Sequence, residues 1–319
     1  MPANSTSVLA FEKPLISATS RELLRVLLYF DIFDYPLTAT EIFERSAIGS
    51  VKDLYKELDH LTANGFIFRY GGFYSTQDNP ALISRRIRGN ECAGRHMKKA
   101  KLISSIIGHF PFVRSVMLSG SISKMYMDDK SDIDYFVITA PNRLWIARFF
   151  FVLFHKIILL NKTKLFCYNY MIAADHLSIS KRNIYTATEI VTLLPTLGAK
   201  DYQQFLRTNA WVKDYFPNFP VPDTDDLKTG RSWFKRCLEK LLSGKMGEKL
   251  DIYLMKHTER RWHKRQPPHM FSNPEAYMSL KRHTAKGHTQ DHYPRILTCY
   301  EENLRRFEAK HRQPLSVNL

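Results

Sequence analysis

Apolar residues near the start of the chain recur at helical spacing. Over 21–30 they fall at Leu23, Leu24, Val26 and Leu27, with Ser20 ahead of them as an N-cap. Pro36 breaks the pattern, and Thr38 or Thr40 then caps a short helix carrying Ile42 and Phe43. Ser50 caps a longer helix over 51–63, with Leu54, Leu58 and Leu61 on one face and Asn64-Gly65 closing it. The period then changes. Phe66 to Tyr70, the turn Gly71-Gly72, and Phe73 to Thr76 predict a hairpin with a two-residue turn. Residues 1–18 carry little pattern and read as an extended arm.

Farther along, helical and strand patterns alternate. A long helix is predicted over 80–109, basic along its length (Arg85, Arg86, Arg88, Lys98, Lys99), with Gly89 and Gly94 as points of interruption. Short apolar runs at 116–118 and 135–138 read as buried strands, and 164–172 as a third. The window 144–160 is the most apolar. It holds Arg148, His155 and Lys156 and falls short of the ~20 residues that span a bilayer, so it reads as a buried helix. A membrane contact through Phe149, Phe150, Phe151 and Phe154 is the lesser reading. Residues 183–218 look helical throughout. The stretch 219–230 is a polar linker, 232–255 an amphipathic helix running into basic residues around Trp262, and 294–312 a terminal helix. The alternation indicates an α+β fold.

Composition narrows the classes. At 44% hydrophobic, the 319 residues can bury a sizeable core, which excludes a disordered chain. A formal net charge of +16 makes a polyanionic partner plausible: a nucleotide, a nucleic acid or another anionic acceptor. A solvated basic surface accounts for the same charge equally well. Cys92, Cys167, Cys237 and Cys299 are widely spaced and read as reduced thiols of a cytoplasmic protein, with no zinc-type pairing. No basic-then-apolar leader pattern and no transmembrane segment is seen.

The chemistry concentrates between Val116 and Thr139. A small-residue turn, Ser119-Gly120-Ser121, follows the first apolar run, and Asp132-Ile133-Asp134 opens the second. Strand side chains alternate, so the two aspartates share a face with Cα atoms about 6.5–7 Å apart. Carboxylates so placed can converge on a hard cation. Gly120 lets a phosphate approach the backbone, Ser121 adds a hydroxyl donor, and a helix starting there would add N–H groups.

Gly-Ser, a short gap, then Asp-x-Asp on an apolar strand resembles the nucleotidyltransferase fold of the DNA polymerase β superfamily, over Leu118–Ile138 above all. The resemblance implies a small mixed sheet with helices and transfer of a nucleotidyl group from an NTP to a hydroxyl acceptor. It implies magnesium or manganese on Asp132 and Asp134, and phosphates on Gly120 and Ser121 with Ser119 and Lys124 beside them. A further acid often sits on the next strand in that superfamily. Here the matching place holds Asn169, which cannot take a proton but can ligate a metal through its carbonyl. Asp175 falls after that apolar run, and Glu189 lies on an apolar helix from which it could approach the site, a capping or surface role being the plainer reading. Residues 20–77 resemble a winged helix-turn-helix. The expected division is therefore 1–79 (winged helix), 80–182 (nucleotidyltransferase core) and 183–319 (C-terminal helical region). The alternatives are a catalytically degenerate, nucleotide-sensing regulator whose winged helix binds DNA or a protein, and a glycosyltransferase using the same Asp-x-Asp.

Overall fold

The computed structural model describes residues 16–160, 163–230, 232–265, 278–287 and 292–315, without the side chains of Thr163, Asn169, Arg265, Met278, Ser279 and His292. Most of the expected arm, together with Pro267, Pro268, His269 and His288, lies outside the described residues. Helices and mixed sheets make the fold α+β. Contacts divide the chain into two compact units, Met1–Leu82 with Ile296–Leu319, and Ile83–Arg295.

In the first unit, helix α1 (Ala18–Asp31) is followed by strand β1 (Leu37–Thr38), helices α2 (Ala39–Glu44) and α3 (Val51–Ala63), and strands β2 (Phe68–Tyr70) and β3 (Phe73–Ser75). The strands order as β1-β3-β2, and Tyr70 faces Phe73 across the Gly71-Gly72 turn. Ser17, not Ser20, caps α1. Its hydroxyl accepts from Ser20 N, and Ser20 sits inside the first turn. Thr38 forms a reciprocal capping box with Glu41, and Ser50 accepts from Asp53 N at the start of α3. Helix α3 ends at Asn64, where Gly65 takes a positive φ of 67°. Asp31 is buried, and Ser75 Oγ and Thr76 N both donate to it at 3.0 Å.

In the second unit, helix α4 (Ala81–Gly108) leads into strand β4 (Val113–Ser119), a single turn α5 (Gly120–Ser123), strand β5 (Asp134–Thr139), helix α6 (Leu144–Ile157) and strand β6 (Cys167–Ala173). Helix α7 (Ile184–Val191), strand β7 (Leu194–Leu197) and helix α8 (Ala199–Thr208) follow. Helices α9 (Trp233–Leu241) and α10 (Lys245–Arg265) and strands β8 (Met278–Lys281) and β9 (Thr284–Gly287) complete the second unit, and the last helix, α11 (His292–His311), belongs from Ile296 onward to the first. The sheet runs β7-β4-β5-β6-β9-β8. Among the described residues only β5 and β6 pair in parallel, and α6 is the crossover between them. Leu118, Tyr135 and Val137 bury one sheet face against α4 and α6, while Met117, Phe136 and Ile138 bury the other against α7 and α8. Among the described residues no helix is long and apolar enough to cross a membrane.

Several expectations give way to packing. Helix α4 is unbroken at Gly89 and Gly94. A Cβ at Gly89 would overlap the Tyr126 ring, so that glycine makes room for a neighbour. The helical reading of 183–218 fails at Pro195, which sits in β7 at the sheet edge, where a residue without an N–H is tolerated. The region expected to be helical also supplies the β8–β9 hairpin, whose four-residue strands are too short for a period to show.

The helix expected over 232–255 breaks in two, and Arg143 explains the break. Its guanidinium donates to Leu242 O at 2.8 Å and Gly244 O at 3.1 Å, and also to Ser243 O. Two more charged residues clamp the same region. Buried Lys235 donates to Gly108 O at 2.8 Å and Val113 O at 2.6 Å, and desolvation pushes its pKa down to about 8. Asp251 Oδ1, fully buried, accepts from Trp145 N at 2.9 Å and Ile146 N at 3.0 Å, capping α6 from α10. Among the described residues its Oδ2 has no partner, and burial raises its pKa to about 6.

Asp251→Ala orphans two buried N–H groups and is expected to lower stability by about 2–4 kcal/mol. Asp251→Asn keeps an acceptor oxygen and is expected to lose much less. Urea midpoints at constant m-value read the difference, and equal losses in the two variants would contradict this role for the carboxyl oxygen.

Candidate active site

Strand β4 ends at Ser119, whose partner across the antiparallel ladder is Asp134, the first residue of β5. The two ends of the sequence motif therefore lie side by side. Gly120 turns the chain out of β4 with a φ of +66°, a left-handed conformation that side chains disfavour. A Cβ at Gly120 would overlap the Asp134 carboxylate oxygen Oδ2. Glycine is thus required twice, for the bend and for the carboxylate resting on it.

Helix α5 is four residues long. The expected helix start is one turn, so its dipole contributes little and the bend itself supplies the geometry. Ser119 and Ser121 are half-buried, and neither hydroxyl has a hydrogen-bond partner among the described residues. Ser123 Oγ donates to Gly120 O at 2.9 Å.

Asp132 precedes β5, but the pairing continues outward. Ile133 N donates to Lys164 O at 3.0 Å and Cys167 N to Ile133 O at 2.9 Å. Ile133 is fully buried while Asp132 and Asp134 are half-buried, the alternation expected of carboxylates sharing one face. Desolvation pushes the Asp134 pKa up to about 7. The Cys167 side chain hydrogen-bonds to Asp134 and opposes that rise, Glu189 and Asp132 add to it, and Lys124 opposes it. Lys124 Nζ donates to Gly120 O at 3.0 Å and pairs with Glu189 Oε1 at 2.9 Å.

The structure therefore gathers Ser119, Gly120, Ser121, Lys124, Asp132 and Asp134 at one end of β4 and β5. Asn169 lies in β6, where the pairing with β5 shifts between Asp134/Cys167 and Phe136/Tyr170, but its side chain is outside the described residues. Asp175 is not part of the site. It follows the far end of β6 and pairs with His176 at 3.1 Å.

Sequence reasoning gave Cys167 no place here, and gave Glu189 an approach to the site only as the lesser reading beside a capping or surface role. Cys167 carries no motif, and only its position at the head of β6 in register with Asp134 brings it in. Glu189 was legible only as the sole charged residue of α7. Among the described residues no three His, Cys, Asp or Glu side chains are grouped to hold a metal ion. Asp132 and Asp134 offer the hard oxygen donors magnesium or manganese would take, and the buried negative charge of Asp134 suits a cation.

Gly120→Ala is expected to lose ~2 kcal/mol or more, from backbone strain and displacement of the Asp134 carboxylate, read as a lowered urea midpoint. The raised pKa of Asp134 means that the folded state holds its proton more tightly than the unfolded chain. Metal-free stability should then fall as pH rises from about 4 to about 7 and level off above. Asp134→Asn lacks that loss. It is expected to match the parent near pH 4 and exceed it by a few kcal/mol at pH 8 in chelator. A stability difference independent of pH would contradict a raised Asp134.

No family model matches the chain, and neither does any curated protein or solved structure.

Proposed function

We propose that the second unit is a metal-dependent nucleotidyltransferase that moves a nucleotidyl group from an NTP to a hydroxyl acceptor. The observation that carries it is the Asp134 carboxylate lying against the Gly120 bend, with Asp132 two residues away and Lys124 beside both. The strand order supports it: β4 antiparallel to β5, and β5 parallel to β6 through a crossover helix, with the acids at the head of β5.

Asp132 and Asp134 would hold magnesium or manganese, which when bound supplies charge neutralisation at the phosphates. The chain's own groups orient the substrate. The hydroxyls of Ser119 and Ser121 donate to phosphate oxygens, Gly120 admits them to the backbone, and Lys124 offsets their charge. The acceptor hydroxyl attacks the α-phosphorus and gives up its proton to water or a substrate phosphate oxygen, the bond to the bridging oxygen breaks, and pyrophosphate leaves. Positioning in line supplies much of the rate.

For the first unit, the order of three helices and a hairpin supports a winged helix-turn-helix. Helix α3 carries Lys52 and Lys56 against Asp53, Glu57 and Asp59, a poor balance for phosphate attraction. Arg69 lies 3.9 Å from Asp59. These charges favour a protein partner over DNA.

Transfer from NTPs labelled at the α-phosphate is expected in the parent protein and to drop roughly a thousandfold in Asp132→Ala and in Asp134→Ala. Unchanged transfer in both variants would remove these carboxylates from the reaction. Metal-dependent NTP binding without any turnover would favour a nucleotide-sensing regulator instead.

A further inference from the structure

Helix α7 contains one charged residue, Glu189, among eight. Its apolar residues already anchor it, since Ala187, Ile190 and Val191 are buried in the core beneath β4 and β5. Asn183 caps its start, accepting from Thr186 N at 3.0 Å. The helix thus needs no ion pair to stay in place. Yet Glu189 reaches across to Lys124 at 2.9 Å, joining residues 65 apart in sequence. The pair is largely shielded from solvent, with 17% of the Lys124 side chain and 34% of that of Glu189 exposed.

This placement sets a third carboxylate in the field of Asp134, where like charges repel, and the ion pair with Lys124 offsets that repulsion. What Glu189 provides is order. A lysine ammonium rides on a flexible four-carbon stem with large rotamer freedom. Here Nζ is fixed at two points, the carbonyl of the bend at 3.0 Å and the Glu189 carboxylate at 2.9 Å.

We propose that Glu189 is a positioning residue, which holds the Lys124 ammonium at the Gly120 bend so that it meets the phosphates of the incoming nucleotide. The assignment rests on the nucleotidyltransferase reading and extends it to a residue outside the motif. It reverses the sign expected from charge alone. Removing a negative charge beside a polyanion site strengthens binding by simple Coulomb attraction. Removing a residue that orders the phosphate-binding lysine weakens it.

The test measures inorganic tripolyphosphate binding with magnesium by calorimetry on the full chain. Glu189→Gln is expected to weaken binding roughly tenfold. Glu189→Asp should recover part of that loss, because the shorter carboxylate still reaches toward Lys124. Lys124→Met should weaken binding at least as much, and adding Glu189→Gln to it should change nothing further, as befits a residue acting through another. Circular dichroism melts confirm that each variant is folded. Unchanged or tighter binding in Glu189→Gln overturns the assignment, as do losses that add in the double variant. If the parent protein binds no tripolyphosphate with magnesium, the nucleotidyltransferase reading falls first. If the parent binds and Lys124→Met fails while Glu189→Gln does not, only the role of Glu189 falls.

Discussion

One close approach governs the second unit: the Asp134 carboxylate lies where a side chain on residue 120 would be. Because Gly120 has none, the chain leaves β4 with a positive φ and Ser119 still pairs with Asp134. The same contact holds a carboxylate in a half-buried place where desolvation and two other acids oppose its charge. A protein selected for stability alone would put an apolar or hydrogen-bonding residue there. The fold instead keeps an ionisable group at the head of β5 and stations Lys124 and the Cys167 side chain beside it. The bend and the acid form one feature, and altering either disturbs the other.

The region beyond α8 is tied to the sheet by charges that would look solvated in any local reading. Lys235 takes the carbonyls of Gly108 and Val113, at the end of α4 and the start of β4. Arg143 gathers three carbonyls at the break between α9 and α10, and Asp251 on α10 caps α6. Each satisfies backbone groups that helix ends leave without partners. Gly230 presses on the carbonyl of Gly108 and Thr224 is buried, so the largely exposed polar stretch over 219–230 is anchored at these two points. The strand with the candidate site thus begins at a junction held by a buried lysine, and the crossover helix after it starts on a buried aspartate. Both positions are polar, yet both act as core.

Sequence reading was strongest where the physics is local. Helix α3 begins and ends at the expected residues, because Ser50, the Leu54–Leu58–Leu61 face and Gly65 each act within a turn of their position. The strands β4 and β5 were legible as two apolar runs flanking a small turn, but the pairing of Ser119 with Asp134 was not, because register depends on how the strands meet. The misses share a different cause. Ser17 and Ser20 are equivalent as caps until the helix start is known. Gly89 looked like a helix breaker because Tyr126, which fills the space over it, lies 37 residues on. Pro195 suggested a helix end within a helical region, where only the edge position of β7 makes it acceptable in a strand. Glu189 carried a weak signal, a lone charge on an apolar helix. Its partner depended on how α7 lies against β4, which no spacing encodes.

The charge distribution draws these points together. The chain carries a net charge of +16, yet at the candidate site Asp134 lies in the field of two further carboxylates, Asp132 and Glu189, with Lys124 as the opposing charge. Against a basic surface that draws polyanions in general, the cleft is locally acidic. On the proposed reading this contrast separates capture from placement. The surface raises the local concentration of any anion, while the cleft opposes a bare triphosphate and accepts one whose charge is already offset by a divalent cation. Nonspecific attraction then cannot fill the site. Its occupancy is set by the bend, the hydroxyls of Ser119 and Ser121, and the fixed ammonium. The long-range charge serves encounter, and the short-range carboxylates serve selection, so the two opposite signs in one protein are consistent with a single function.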